Sequence, residues 1–346
     1  MIQPGFFDLQ ARYESLSACG DPLEVLAEKI PWERFRPTLE RVLAEQRLAA
    51  KRKSDAGRKP YDAVVMFKTL VLQSLYNLSD HQAEFQIKDR LSFMRFVGLS
   101  LPQSVPDEKT IWLFREMLTK AGAMEKLFDR FDRYLEREGY TAKQGQIVDA
   151  SIVEVPRQRN TREENETIKR GETPSEWEKQ PAKRRQKDTD ARWTKKHGEN
   201  TFGYKNHLNV DVKYKLIRKG TVTPASMHDS QVTGKLLDPK NSGRSVWGDS
   251  AYRSEKIDRL LKRRKLTNRI HYKGYRDHPL SEHRQALNRA RSRVRARVEH
   301  VFGFQHNTMK AGLIRCIGLA RAGPKIALAN LVYNMMRFTQ LCRSTA

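Results

Sequence analysis

The chain has 346 residues, with 66 Lys and Arg against 41 Asp and Glu and a formal net charge of +25. Its length favours two compact units, and its charge favours nucleic acid as a partner ahead of an anionic membrane surface. The first residues lack the basic leader and apolar run of a signal peptide. Cys19, Cys316 and Cys342 lack the spacing of a zinc site or a disulfide framework. We therefore expect a soluble, cytoplasmic protein that associates with the nucleoid.

Helical periodicity dominates the first 140 residues. Apolar residues recur at helical spacing over 62–79, with Asp62 as the capping residue. This segment contains Lys68 and Gln73, which fits a core helix better than a membrane span. Further helices are predicted over 79–96, over 106–118 and over 124–138. We predict an all-α domain, similar to a helix-turn-helix unit, over residues 1–140.

After Gly139 and Gly145 the pattern becomes mixed α/β. Strands are predicted over 146–155, as a pair over 205–223, over 245–247 and over 269–272. Helices are predicted over 230–237, 254–265, 281–304 and 325–341. This order predicts an α/β domain over residues 141–346, with a mixed sheet and flanking helices.

A basic, polar insert occupies about residues 157–200. Arg, Lys, Glu and Thr dominate it and aliphatic residues are few, so it cannot bury much apolar surface. We predict that it is flexible without DNA. Its two tryptophans, Trp177 and Trp193, either stack on bases beside the positive charge or anchor the loop.

Three acidic residues stand where chemistry would need them. Asp149 and Asp249 each end a predicted strand, and Glu299 lies in a predicted helix one turn after Arg295. Gly248 beside Asp249 allows backbone to approach a ligand closely. Carboxylates are the ligands that Mg²⁺ prefers, and two ions about 3.5–4 Å apart can clamp the oxygens of a phosphoryl transfer. Taken singly, each acid is weak evidence, because an Asp after a strand usually caps a turn and a Glu in a charged helix usually faces water.

Several strings in the chain together resemble the insertion-sequence transposases of the IS-five group, within the IS-four superfamily. They are GRKPYD at 57–62, VDAS at 148–151, GYKNH at 203–207, TPASMHDS at 223–230, GDSAY at 248–252 and the helix segment 295–299. The resemblance implies a ribonuclease-H-like catalytic fold with Asp149, Asp249 and Glu299 as a DDE triad. It also implies an N-terminal domain that recognises terminal inverted repeats, and a homodimer when two DNA ends are joined.

The implied mechanism is metal-dependent cleavage and joining of DNA. In this hypothesis Asp149 bridges two Mg²⁺ ions, for which Mn²⁺ can substitute, and Asp249 and Glu299 complete the two ion sites. Water nicks one strand, and the freed 3′-hydroxyl then attacks a target phosphodiester. We assign phosphate contacts to Arg291, Arg293, Arg295 and Arg297, and base contacts to Lys88 and Arg90. Pairing with Glu299 is the alternative for Arg295.

Some assignments stay open at the level of sequence. Asp229 is the rival for the second acid, although Asp is also a good helix cap. Tyr252 is an accessory candidate and has no recognisable nucleophile motif around it. The superfamily pattern around the last acid departs here, because Ser292 and His306 occupy its tyrosine and lysine positions. His207 is either a metal or proton-transfer residue, or a structural histidine.

Two other functions compete with an active transposase. The first is a transposase-derived DNA-binding regulator without catalysis, which explains the charge and the helices. It does not explain three acids that would weaken attraction to DNA unless metals cancelled their charge. The second is a nuclease that cuts DNA lacking the cognate ends.

Overall fold

The computed structural model of the protein describes residues 8–49, 59–196, 198–275 and 278–343. Contacts within the chain define two compact units, Met1–Tyr134 with Leu331–Ala346, and Leu135–Asn330. The sequence places the division near residue 140 and assigns residues 331–346 to the second domain. Gly57 and Arg58 of the GRKPYD string lie outside the described residues.

The first part of the described chain is helical. Its helices are α1 (Asp8–Ala18), α2 (Pro22–Lys29), α3 (Arg36–Ala49), α4 (Ala63–Tyr76), α5 (Asp80–Asp89), α6 (Leu91–Val97), α7 (Glu108–Lys120) and α8 (Ala123–Arg137).

Polar caps set where these helices begin. The Asp62 carboxylate accepts hydrogen bonds from the first free amides of α4, and Ser79 forms a capping box at the start of α5. Asp107 caps α7 in the same way. The predicted helix over 79–96 is two helices, because Arg90 adopts an extended backbone between α5 and α6.

Aromatic side chains form the core of the helical unit. Trp32, Phe35 and Phe67 are buried, with ring centroids 5.0–6.3 Å apart. Near the end of the chain, Phe338 packs edge-on against Phe131 at 6.2 Å. Burial of each such ring contributes roughly 2–3 kcal/mol, which is why residues 331–346 join this unit.

The remaining described residues form the sheet and its helices, and the last helix of the chain continues into the helical unit from Leu331. The elements are β1 (Gln146–Glu154), α9 (Arg162–Lys169), α10 (Ser175–Glu178), α11 (Pro181–Gln186), β2 (Arg192–Lys196), β3 (Glu199–Asp211), β4 (Ile217–Pro224), α12 (Thr233–Leu236), β5 (Ser245–Gly248), α13 (Glu255–Arg263), β6 (Thr267–Asn268), α14 (Glu282–Arg295), α15 (Arg297–Gly303) and α16 (Leu319–Arg343).

The sheet is mixed, as predicted. Its order is β2-β3-β1-β5-β6, and β4 also pairs with β3. Strands β1, β3 and β4 are antiparallel, whereas β5 and β6 run parallel to β1 and to each other. Apolar residues of β1 alternate between two core clusters, with Val148 in one and Val153 in the other. Strand β1 is therefore covered on both faces.

Two predicted elements differ from the structure. The strand predicted over 269–272 is wrong, because β6 ends at Asn268 and the Asn268 side chain accepts a hydrogen bond from the Ile270 amide, which turns the chain. The helix predicted over 281–304 is divided at Ala296 into α14 and α15.

The described residues of the insert form α9, α10, α11 and β2, and its flexibility without DNA stays a prediction. Trp177 is fully buried and its Nε1 donates to Glu164 at 2.6 Å. Lys183 and Lys187 lie over the same indole ring at 5.8 and 5.5 Å. The insert has few aliphatic residues, and the buried Trp177 ring with its polar partners is the centre about which α9, α10 and α11 pack. Trp177 is thus an anchor, whereas Trp193 on β2 remains 45 % exposed.

In the part of the chain that the structure describes, no helix combines the length and apolar character needed to cross a bilayer.

Candidate active site

The register of two parallel strands brings Asp149 and Asp249 together. Val148 of β1 is paired with Gly248 of β5. Asp149 and Asp249 are the residues that directly follow this pair on the two neighbouring segments. Paired strands lie about 4.8 Å apart. Asp249 follows the last residue of β5, and its carboxylate accepts from the Ala251 amide at the start of a 3₁₀ turn. Asp149 does not end its strand as predicted, because β1 continues to Glu154. Both carboxylates therefore lie beside the end of β5, a position called the sheet edge below.

Arg295 binds the Asp149 carboxylate. Its Nη1 donates to Oδ2 of Asp149 at 2.7 Å, and the two side chains are 26 % and 16 % exposed. The other carboxylate oxygen accepts from the Ala150 amide at 2.9 Å. Such a charge-assisted bond in a partly buried setting is stronger than a surface pair, so Arg295 fixes the orientation of Asp149.

Glu299 lies on the exposed side of α15, whereas Val298 and Val301 are fully buried on its other side. Across the described ranges, no three His, Cys, Asp or Glu side chains are grouped so that together they could hold a metal ion. The donor chemistry of Asp149 and Asp249 suits Mg²⁺. The structure thus unites the first two predicted acids and leaves the third on the helix surface.

Asp229 lies in a second polar group beside this edge. Its Oδ1 accepts from Lys205 Nζ at 2.8 Å and stands 3.9 Å from Nδ1 of His207. His207 is fully buried, and its Nε2 shares a hydrogen bond with Thr223 Oγ1. Burial lowers the pKa of His207 to about 4, against the opposing effect of Asp229. The imidazole is therefore neutral at pH 7, in keeping with a structural histidine.

Tyr252 is close enough to both Asp229 and the paired acids Asp149 and Asp249 for their charges to affect its hydroxyl. Its hydroxyl is buried and has no hydrogen-bond partner among the described residues. Burial raises the pKa of Tyr252 well above its ordinary value, and the negative charges of Asp229, Asp149 and Asp249 raise it further. The phenol stays protonated, which makes it a poor nucleophile and a ready hydrogen-bond donor.

His306 and Ser151 form a contact that sequence reasoning missed. Ser151 Oγ on β1 and His306 Nε2 lie 2.6 Å apart. His306 belongs to a π-helical turn that follows α15. Asp149 and Ser151 are two residues apart on β1, so they point to the same face of the sheet. Ser151 therefore holds His306 against the same face of the sheet as Asp149, and no local sequence signal predicts this contact.

The four predicted phosphate-binding arginines have different surroundings. Arg291 is only 7 % exposed and donates to the Ile270 carbonyl at 2.7 Å, so it is not a surface residue as expected. Arg295 binds Asp149, and Arg297 donates to the Val212 carbonyl at 2.7 Å. Arg293 lies on the exposed side of α14.

The two predicted base-reading residues lie in the helical unit. Lys88 near the end of α5 is 55 % exposed and pairs with Glu84 at 2.6 Å. Arg90 is exposed, with its guanidinium 5.0 Å from the centroid of the Phe93 ring. Both side chains can be reached from solvent.

A mixed sheet with two carboxylates at one edge, in a chain of charge +25, defines an α/β protein suited to chemistry on a polyanion. Residues 140–335 match the model of the Transposase DDE domain, and residues 11–117 match the Transposase domain (DUF772). The chain therefore belongs to the Transposase DDE domain family, and the two matches together support an insertion-sequence DDE transposase. No solved structure matches it. Membership of the IS-five group stays a prediction.

Proposed function

We propose that this protein binds the terminal inverted repeats of an insertion sequence and catalyses metal-dependent strand cleavage followed by 3′-hydroxyl strand transfer. The observation that carries the proposal is the pairing of Val148 with Gly248, which places Asp149 and Asp249 side by side. The sheet supports a ribonuclease-H-like catalytic unit, since three antiparallel strands, β1, β3 and β4, are followed by the parallel strands β5 and β6.

In this proposal Asp149, Asp249 and Glu299 hold two Mg²⁺ ions, with Mn²⁺ as a substitute. Ions held there would lower the pKa of the attacking water and would stabilise the leaving 3′ oxygen. Arg295 orients Asp149, and its buried Nε has no hydrogen-bond partner among the described residues. That donor is available for a phosphate oxygen of the DNA.

Two neighbouring residues limit the negative charge near the paired acids. Tyr252 stays neutral beside the carboxylates, so it adds no further negative charge against the DNA. Lys205 neutralises Asp229 at 2.8 Å, which favours a supporting role for Asp229 over the role of second catalytic acid.

The helical unit supplies end recognition in this proposal. Lys88 and Arg90 reach base edges, in a helix-turn-helix-like arrangement, and Arg293 contacts phosphate. The protein acts on chromosomal DNA in the cytoplasm, at the nucleoid, and two copies join the two ends as a homodimer. The matched Transposase domain over 11–117 supports a dedicated role for this unit.

Cleavage of a labelled duplex bearing the element's own ends tests the proposal. Wild type, Asp149→Asn, Asp249→Asn and Glu299→Gln are compared with Mg²⁺ and with Ca²⁺, and end binding is measured in parallel. Each substitution should remove Mg²⁺-dependent cutting and spare binding. Normal cutting by Asp249→Asn would transfer the second acid to Asp229.

The exposed position of Glu299 favours a second candidate, a transposase-derived regulator that occupies the ends without cutting them. The same assay separates the two functions. Binding of cognate ends by wild type, with no cleavage or joining in either Mg²⁺ or Mn²⁺, would establish the regulator. Equal cutting of duplexes without the ends would instead indicate a nuclease.

A further inference from the structure

Three arginines surround one tyrosine ring next to the paired acids. The guanidinium carbons of Arg253, Arg291 and Arg284 lie 4.3, 4.4 and 5.3 Å from the centroid of the Tyr272 ring. These four residues are called the arginine cluster below. They come from a loop, from the segment after β6 and from two positions on α14, so the fold assembles them from separate parts of the chain.

The three guanidiniums of the cluster concentrate positive charge around one ring. Arg253 and Arg291 both donate to the same acceptor, the Ile270 carbonyl, at 3.0 and 2.7 Å. Two guanidiniums on one oxygen repel each other. In the residues that the structure describes, none of the three arginines forms an ion pair with Asp or Glu. An anion bound here would relieve the repulsion.

Arg291 also carries an unused donor. The residue is 7 % exposed and its Nε has no hydrogen-bond partner among the described residues. A buried donor without a partner is costly. The hydrogen bond and charge of Arg291, with the charges of Arg253 and Arg284, lower the pKa of Tyr272, which reports the same positive field.

The cluster adjoins the candidate active site. Arg291 lies one helical turn before Arg295, which binds Asp149, and Arg253 directly follows Tyr252. His271, beside Tyr272, lies within the electrostatic influence of both Arg291 and Asp249. A group bound by the cluster is therefore a neighbour of whatever is bound at the paired acids.

We infer that the arginine cluster is a binding site for a DNA phosphate next to the one that reacts. Guanidiniums match phosphate oxygens in geometry and charge. Arg284 is the exposed member and meets the DNA strand first, whereas the half-buried Arg253 and the buried Arg291 lie beneath it. The bound group is either an internal phosphodiester or a 5′-terminal phosphate. The inference rests on the proposed function for its choice of DNA as ligand.

Salt-dependent DNA binding by the full-length protein tests the inference. Fluorescence anisotropy without divalent metal measures the affinity for a labelled duplex bearing the element's ends, at several KCl concentrations. Arg284→Gln should weaken binding several-fold and lower the salt slope by about 0.9, the value for one phosphate contact. Arg259→Gln is the matched control, because Arg259 is 79 % exposed on the neighbouring α13 and is paired with Glu255.

Tyr272→Leu separates cluster geometry from total charge. This change keeps the net charge but removes the ring that positions the guanidiniums, so it should weaken binding about as much as Arg284→Gln. Duplexes with and without a 5′ phosphate at the cleavage position distinguish the two sources of the phosphate. If the cluster binds the terminal phosphate, the difference in affinity between wild type and Arg284→Gln should shrink on the duplex that lacks the 5′ phosphate. If the cluster binds an internal phosphodiester, that difference should be the same on both duplexes.

Equal affinity and equal salt slope for Arg284→Gln and Arg259→Gln would overturn the inference, whatever the result with Tyr272→Leu. The proposed function fails separately, if wild type does not cleave the same duplex with Mg²⁺. A variant that binds weakly while wild type never cleaves would keep the phosphate site and reject the transposase activity.

Discussion

Asp249 and Asp188 lie in the same α/β unit but have opposite surroundings. Asp249 stands at the end of β5, half-buried, with its carboxylate capping a short turn. Asp188, in the insert, is 2 % exposed and accepts hydrogen bonds from the Tyr204 hydroxyl and from the Ala191 and Gly318 amides. The sheet is complete without the first carboxylate, whereas the insert is built around the second.

This difference in burial and hydrogen bonding separates candidate catalytic carboxylates from structural ones. Apolar strands can present a carboxylate at an edge because their own packing already stabilises them. A segment with few aliphatics must use its acids as acceptors for buried donors, as Glu164 does for Trp177 and Lys183. Substitutions at the two kinds of site should therefore change different measured quantities.

The largest expected effect is on activity at the sheet edge. Asp249→Asn should lower the rate of Mg²⁺-dependent cleavage on the order of a thousandfold, since several kcal/mol of transition-state stabilisation would be lost. Asn still caps the turn, so the free energy of unfolding should change by less than about 0.5 kcal/mol. Single-turnover cleavage and urea denaturation measure the two quantities. A large loss of stability would show that Asp249 is structural.

Asp188→Ala should show the reverse pattern. Tyr204 and several amides lose their buried acceptor, so the free energy of unfolding should fall by about 3 kcal/mol. Urea denaturation followed by circular dichroism measures this loss. Cleavage per folded molecule should stay within a few-fold of wild type. A stable Asp188→Ala protein would remove the distinction between the two regions.

The pH dependence of the insert gives a smaller effect with a defined sign. Burial alone would raise the pKa of Glu164, but hydrogen bonds from Trp177, Lys183 and the Thr161 amide outweigh it and lower the pKa to about 2. A carboxyl with a lowered pKa contributes stability above its unfolded value of 4.5 and loses it as the pH falls toward 2. The contribution is up to about 3 kcal/mol.

Hydrogen exchange of the peptides covering α9 to α11 measures that contribution. Wild type should be better protected than Glu164→Gln at pH 6, and the two proteins should converge as unfolding is examined at lower pH. Glu163→Gln, one position earlier and exposed, is the matched control. Equal protection of wild type and Glu164→Gln at pH 6 would contradict the role given to Glu164.

The smallest expected effect concerns basic residues and is a change in the preference for cognate over scrambled DNA ends. Lys88→Gln with Arg90→Gln should lower the preference for cognate over scrambled ends about tenfold or less, without loss of stability, since both side chains are exposed. Arg95→Gln should lower stability instead, because Arg95 pairs with Asp21 at 2.8 Å. Competition binding measures the preference. An unchanged preference would remove Lys88 and Arg90 from end recognition.

Strands β1, β3, β4 and β5 and the acid that ends β5 could be predicted because local pattern determines them. Asp249 follows its apolar strand as predicted, and the capping residue Asp62 is also visible in the sequence, whereas Asp149 lies within β1 and not at its end. The helices of the insert could not be predicted, because they depend on the contacts of Trp177 with Glu164 and Lys183, which composition does not reveal. The burial of Arg291 depends on the path of the segment after β6, where the Asn268 side chain accepts a hydrogen bond from the Ile270 amide in place of the expected strand.

The parallel pairing of β1 with β5 also has a consequence during synthesis. These strands are separated by the whole insert and by β2 to β4, so β1 leaves the ribosome roughly 5–20 s before its neighbour at ordinary elongation rates. Throughout that interval one edge of β1 offers unpaired backbone groups to any other strand. A nascent or truncated chain that ends before β5 therefore lacks the pair of acids, and its β1 has an unpaired edge that can pair with another chain.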